Sequence, residues 1–203
     1  MINARELFGD IDIYLFDQIL KGRFNVDMSI LDAGCGSGRN LIYFLRGGFR
    51  VFAVDQNPQA IEQIRLLAKT LNPNLPSENF QLSSVEKMPF QDEQFDAVIS
   101  SAVLHFAENS EHFQTMLAEM WRVLKPKGIF FARLASSIGI EKLIKPTGND
   151  RYLLPDGSER FLVNEEMLTS AITRFGGIWL EPLKTTNVQN LRCMTTWVLQ
   201  KDN

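Results

Sequence analysis

A doubly wound α/β fold, built on a mostly parallel sheet covered on both faces, is predicted by three features of the 203-residue chain. Short apolar runs alternate with segments of helical periodicity. The connections are short, so successive strands must be joined by right-handed crossovers. The run Phe95–Ser100, with Ala97, Val98 and Ile99 in succession, has the unbroken apolarity of a strand buried on both faces.

The elements follow in order. Asp10 to Lys21 predicts a helix with Ile11, Tyr14, Leu15, Gln18 and Ile19 along one face and Gly22 as its C-terminal cap. Ser29–Asp32 reads as a buried strand. Gly36 to Arg46 reads as a helix closed by Gly47-Gly48. Arg50–Asp55 is a second strand. Asn57 then caps a helix with Pro58 at its first position, and Ile61, Ile64, Leu67, Ala68 and Leu71 recur at helical spacing. Phe80–Leu82 and Phe95–Ser100 are the third and fourth strands. A helix over 110–124 turns Phe113, Met116, Leu117, Met120 and Leu124 inward, and Pro126 and Gly128 end it. Ile129–Ala132 is the fifth strand.

Residues 136–163 interrupt this pattern. Within them, Pro155-Asp156-Gly157-Ser158 stands between two apolar runs, which predicts a hairpin. The insertion follows a strand on the side where ligands bind in such sheets, so it is a candidate lid; a plain surface insertion is the alternative. Asn164 caps a helix reaching Phe175, with Glu165 and Glu166 at its positive end and Gly176-Gly177 after it. Ile178–Leu183 and Met194–Leu199 predict an antiparallel pair, making seven strands with the last one reversed. The whole, 1–203, reads as a single domain that opens with an N-terminal helical segment, 1–28.

Composition narrows the function. Hydrophobic residues at 45% and charged residues at 22% exclude disorder, collagen and coiled coil. The 21 basic and 24 acidic residues leave a net charge of −3, and no basic block occurs, which disfavours a nucleic-acid partner. Cys35 and Cys193 form no disulfide framework and lack zinc-ligand spacing, so no metal is expected and a reduced, cytoplasmic setting is. The opening residues lack a basic region leading into an apolar stretch, so no secretory signal is expected. The apolar run Ala97–Ala107 is broken by Ser100, Ser101 and His105 and is too short for a bilayer, so no membrane partner is expected.

The most informative stretch is Asp32-Ala33-Gly34-Cys35-Gly36-Ser37-Gly38. Glycines between a strand and a helix let backbone N–H groups approach a ligand. Asp55, at the end of the second strand, is placed to accept both hydroxyls of a ribose. Dinucleotide sites want Gly-x-Gly-x-x-Gly, whereas here the glycines alternate. Asp32 at the mouth of the turn would repel a pyrophosphate and suits a ligand bearing positive charge.

These residues resemble the first and second motifs of the class I S-adenosylmethionine-dependent methyltransferases. Ser83–Phe90 followed by Phe95–Val98 resembles the third and fourth, and Arg122–Gly128 the segment before the fifth strand. The resemblance runs from about residue 28 to 135. Arg39-Asn40, Tyr43 and Gly47-Gly48 are most similar to the small single-domain group that includes the tellurite-resistance methyltransferases. The resemblance implies a Rossmann-like sheet, S-adenosylmethionine as cofactor and S-adenosylhomocysteine as product. It implies cofactor contacts from Asp32, Gly34, Cys35, Gly36, Gly38, Asp55, Gln56, Ser84, Val85, Glu86 and Ser100. In one place the chain departs from the family: Ser84 stands where an Asp usually accepts a bond from the adenine amine, while the Val85 backbone remains available to the ring.

The substrate is approached by elimination. After the fourth strand the chain lacks the Asn/Asp-Pro-Pro-Tyr of amide- and base-nitrogen methyltransferases, a Pro-Cys nucleophile, and the carboxylates of magnesium-dependent catechol-type enzymes. A small molecule is therefore expected. His105, just past the fourth strand, is the candidate catalytic base or substrate contact, with packing against the sheet end as its alternative. His112 is expected to be solvated on its helix. Tyr14 is a candidate to close the site. Arg151, Arg160 and Arg192 suit an anionic acceptor. A protein that binds S-adenosylmethionine without catalysis, or a nicotinamide oxidoreductase, remain the competing classes.

Overall fold

The computed structural model describes residues 3–202; Met1 and Ile2, which open the segment considered for a secretory signal, lie outside the described residues. Two helices, α1 (Ala4–Phe8) and α2 (Ile13–Leu20), lead into β1 (Ser29–Ala33), α3 (Ile42–Arg46), β2 (Arg50–Asp55), α4 (Pro58–Leu71), β3 (Phe80–Leu82), β4 (Phe95–Ser101), α5 (Ser110–Val123) and β5 (Leu124–Ser136). Then come three short strands, β6 (Lys145–Gly148), β7 (Arg151–Leu153) and β8 (Glu159–Phe161), followed by α6 (Glu165–Phe175), β9 (Gly177–Trp179), β10 (Lys184–Val188) and β11 (Arg192–Lys201).

The main sheet runs β10-β11-β5-β4-β1-β2-β3, with β9 also on β11. Strands β1 to β5 pair in parallel, and β11 is antiparallel to β5. The order reverses between β1 and β4, and loops at the carboxyl ends of these strands meet there. The expected α/β architecture is therefore present. The predicted sixth strand, Ile178–Leu183, is split: β9 and β10 both pair with β11 on one edge, and Pro182 between them cannot donate to the ladder.

Alternation along the strands divides the core. Leu31, Val54, Val98 and Phe130 face one side, where they pack with Phe113, Met120, Trp121, Leu168 and Ile172 of α5 and α6. Their neighbours Ile30, Ala53, Ile99 and Phe131 face the other, against Leu15, Phe44, Ile61 and Ile64 of α2 to α4. Each such buried side chain contributes about 1.5–3 kcal/mol.

The helix expected over 36–46 is shorter than that. Gly34, Gly36 and Gly38 sit at φ +83°, +51° and +79°, outside the right-handed helical region, and α3 begins only at Ile42. Beyond β5, the predicted hairpin forms as β7 and β8, and β6 joins it to make a separate three-stranded antiparallel sheet.

Candidate functional site

The turn after β1 folds onto the end of β2. The Gly34 and Cys35 N–H groups donate to the Val54 carbonyl at 2.9 and 3.0 Å. The Gly36 N–H donates to Asp55 Oδ2 at 2.8 Å, and the other oxygen of Asp55 accepts from the Asn57 N–H at 2.9 Å. A Cβ on Gly34 would lie 2.5 Å from Val103 Cγ2, so the loop after β4 closes directly onto this glycine. Gly38 makes room on the other side of the turn, where a Cβ would come within 2.3 Å of Ile64 Cδ1 on α4.

This turn walls a cavity of about 530 Å³. Of the residues expected at a cofactor, Gly34, Cys35, Gly36, Asp55, Gln56, Ser84, Val85 and Glu86 line it. Gly38 and Ser100 do not. The Ser100 side chain points into the interior, fully buried and with its hydroxyl unpartnered among the described residues. Its neighbour Ser101 faces the cavity instead, the one-residue alternation of a strand.

Asp32 lies behind the turn, 1% exposed, and its Oδ2 has no hydrogen-bond partner among the described residues. Burial pushes its pKa up to about 7; the Arg39 guanidinium opposes this and the Asp55 charge adds to it. Burial likewise pushes the Cys35 thiol up, so it is a packing residue without nucleophilic character.

Among the residues that sequence reasoning did not assign to the site are two charged or titratable ones that line the cavity, Arg39 and His112, and one behind its wall, Asp12. Arg39 reaches the wall, its Nη2 3.2 Å from Ser101 Oγ and 3.9 Å from Asp12 Oδ2. Asp12, buried at the head of α2, also accepts from Arg133 Nη1 at 2.9 Å. His112 is not solvated: it lines the cavity, and its Nε2 lies 2.5 Å from Glu86 Oε1. The Asn109 N-cap, whose Oδ1 accepts from the His112 N–H at 2.8 Å, fixes that first turn of α5; Asn109 was the available signal.

The expected acceptor residues divide into two groups, and none of them lines the cavity itself. Tyr14 hydrogen-bonds to Thr186 Oγ1 at 2.6 Å and carries Arg133 5.4 Å above its ring. Arg151 is committed elsewhere: Nη1 donates to the Ala107 carbonyl at 2.7 Å and Nε to Glu159 at 2.8 Å, joining the small sheet to the loop after β4. Arg160 sits 5.0 Å over the ring of Phe106, which does line the cavity. Arg192 faces Asp156 at 3.7 Å.

His105 does not have the environment of a base. It is 6% exposed, and its Nδ1 accepts from the Ala135 N–H at 3.1 Å. Burial, joined by the Arg160 and Arg192 charges, lowers its pKa to about 4. A neutral ring with Nδ1 accepting carries its proton on Nε2. His105 is a hydrogen-bond donor. No group of three or more His, Cys, Asp or Glu among the described residues is arranged to hold a metal ion, and no described helix is long and apolar enough to cross a membrane.

Comparison with known proteins agrees with this geometry. The family model described as "Methyltransferase domain" matches residues 31–132. The chain is 34% identical over 119 residues to the uncharacterized methyltransferase YodH of Bacillus subtilis, covering 59% of this chain and 45% of that protein. It thus spans under half the length of that relative. Among solved structures, the 1,6-didemethyltoxoflavin-N1-methyltransferase of Burkholderia thailandensis, with S-adenosylhomocysteine bound, superposes with a TM-score of 0.68 at 21% identity, covering 91% of this chain and 76% of that one. TehB from Haemophilus influenzae gives 0.68 at 20% identity, covering 92% and 62%. These two share the fold. With the alternating glycines, Asp55 and the β3 and β4 motifs in place around one cavity, the chain belongs to the class I S-adenosylmethionine-dependent methyltransferase family.

Proposed function

We propose that the protein transfers a methyl group from S-adenosylmethionine to a small, anionic acceptor by in-line displacement. The observation that carries this reading is the Gly34–Gly38 turn bonded to Asp55 above the buried carboxylate of Asp32, whose Oδ2 has no partner among the described residues. An orphaned carboxylate behind an open backbone turn fits a ligand bearing positive charge and would oppose a pyrophosphate, so the nicotinamide alternative loses ground.

Asp55 keeps acceptor capacity beyond its two backbone bonds, because a carboxylate offers about four lone-pair directions. That capacity suits a ribose diol. Arg39, at the cavity wall, suits the carboxylate of the methionine portion. When bound, S-adenosylmethionine supplies a methyl group already activated by its sulfonium. The chain's own residues then have to orient the acceptor and exclude water, and orientation is worth about 7–11 kcal/mol.

The anionic acceptor is supported by Arg160 and Arg192, two guanidinium groups whose charges reach His105, with the Asp156 carboxylate 3.7 Å from Arg192. The Nε2–H of His105 adds a neutral donor beside them. The small sheet over residues 136–163 would cover this acceptor as a lid on the same domain. The Burkholderia neighbour's named substrate is a small molecule, which supports the same class. The acidic balance supports a metabolite over nucleic acid, and two free, buried cysteines support a reduced, cytoplasmic setting.

A metabolite library assayed for S-adenosylhomocysteine release tests the proposal. An anionic acceptor is expected, and Arg160→Met or Arg192→Met should lower kcat/KM for it at least tenfold while leaving the KM for the cofactor within a few-fold. Turnover confined to neutral acceptors would remove the anionic assignment, and binding with no transfer to any acceptor would favour the non-catalytic alternative.

A further inference from the structure

Phe106 is the one phenylalanine, tyrosine or tryptophan among the described residues that line the cavity. It ends the short helical turn Leu104–Phe106 that follows β4. The phase of that turn sends Leu104 and His105 inward and leaves the Phe106 ring 57% exposed at the wall. The carbonyl of the next residue, Ala107, accepts from Arg151 of β7, so the small sheet grips the chain directly beside this ring. On β8, alternation sends Phe161 into the core and its neighbour Arg160 to the other face. The Arg160 guanidinium lies over the Phe106 ring, 5.0 Å from its centre.

That guanidinium is only partly engaged. Its Nη1 donates to the Glu159 carbonyl at 2.7 Å, and its other N–H groups have no protein acceptor among the described residues. The Asp156 carboxylate is taken up elsewhere: Oδ1 accepts from the Ser158 N–H at 2.9 Å and from the Ser158 hydroxyl at 2.6 Å, while Oδ2 faces Arg192. A phenyl ring has two faces, and the cation covers one of them. The other face and the rim are left open to the cavity.

We propose that Phe106 and Arg160 form a joint platform for the acceptor, and that the acceptor is a planar aromatic or heteroaromatic anion. This rests on the anionic-acceptor reading given above and narrows it. Aromatic rings attract one another in offset or edge-to-face contact. A flat ring laid on Phe106 brings an attached carboxylate or phenolate to the unused N–H donors of Arg160. A saturated ring of equal charge keeps the ionic contact and loses the stacking. A neutral aromatic ring keeps the stacking and loses the ionic contact. The two residues therefore set specificity through separable contacts.

Calorimetric titration of the S-adenosylhomocysteine complex with benzoate, cyclohexanecarboxylate and benzamide tests this, with circular dichroism to verify that each variant folds. The parent protein should prefer benzoate to each of the other two by about threefold or more. Phe106→Leu should equalise benzoate and cyclohexanecarboxylate while still favouring benzoate over benzamide, and Phe106→Trp should keep both preferences. Arg160→Met should lose most of the preference for benzoate over benzamide. The assignment is overturned if Phe106→Leu keeps the parent's preference for the aromatic acid. It is equally overturned if that variant weakens S-adenosylhomocysteine as much as benzoate, because the ring would then belong to the cofactor's wall. A parent that favours both acids over benzamide without separating them loses the aromatic class and leaves the anionic acceptor standing. A parent that binds benzoate no more tightly than benzamide, or binds none of the three at millimolar concentration, removes the platform altogether.

Discussion

The ring nitrogen Nδ1 of His105 accepts a 3.1 Å hydrogen bond from the backbone N–H of Ala135. That bond ties the loop after β4 to the end of β5 and fixes the imidazole as a neutral donor. General-base catalysis is worth roughly 10²–10⁴ in rate. Replacing His105 with Gln should therefore cost less than tenfold in kcat, because no proton transfer is lost. A thousandfold loss in kcat would restore the histidine as the base.

The same residue has a stability consequence. Its folded pKa of about 4 lies below the ordinary 6.5, so the unfolded chain takes up the proton first as pH falls. The contribution of neutral His105 is complete above about pH 6.5 and declines from there toward pH 4. Urea midpoints measured at pH 7.5 and 5 should fall less steeply in His105→Gln than in the parent. Identical slopes in the two proteins would contradict the depressed value.

Asp32 behaves in the opposite sense. Its folded pKa, about 7, lies above the ordinary 3.8, so the cofactor-free fold loses stability as pH rises between those values. Asp32→Asn should raise the unfolding free energy of the cofactor-free protein at pH 8 by at least about 2 kcal/mol. It should also weaken S-adenosylmethionine more than S-adenosylhomocysteine, since only the former carries the sulfonium charge. An unchanged ratio of the two affinities would separate Asp32 from the cofactor.

Asp55→Ala should weaken S-adenosylhomocysteine more than tenfold. Hydrogen bonds to a charged acceptor are worth roughly 1.5–3 kcal/mol each, and the Gly36 N–H would lose its partner as well. Ser84→Ala should cost only a few-fold. Titration calorimetry, with circular dichroism to verify that each variant folds, decides between these outcomes, and equal losses would place the two residues in the same role.

Arg151→Met should destabilise the protein by about 1.5–3 kcal/mol through loss of the charged bond to the Ala107 carbonyl. Cofactor affinity should stay within a few-fold, while the KM for an acceptor rises, since the small sheet is then less firmly seated. Loss of cofactor binding instead would mean that the small sheet supports the cofactor cavity directly.

Most of the architecture is legible in the sequence because strands such as Val51–Val54 and Ala97–Ile99 carry their burial in their apolarity, and because Asn57 and Asn164 announce helix starts by their chemistry. What stays hidden depends on geometry that no linear pattern encodes. Ser100 and Ser101 are equivalent on paper, and only the strand's phase sends one inward and the other to the cavity. His112 reads as an ordinary surface residue because its partner Glu86 is 26 residues away. Arg39 and Arg133 converge on Asp12 from sequence distances that no motif spans. The start of α3 is obscured because glycines at positive φ delay a helix whose apolar spacing extends back toward them.

The three-stranded sheet is secured unequally along its width. At one side Phe161 of β8 is fully buried and lies flat against Phe113, their ring centroids 5.1 Å apart; at the other, all four residues of β6 face solvent. Amide protons on β6 should then exchange by local fraying, whereas those on β8 wait for the unfolding of α5 with it. Any local opening of this sheet is consequently a peeling that starts at β6 and stops at β8, whose anchorage in the hydrophobic core keeps the fold beneath closed.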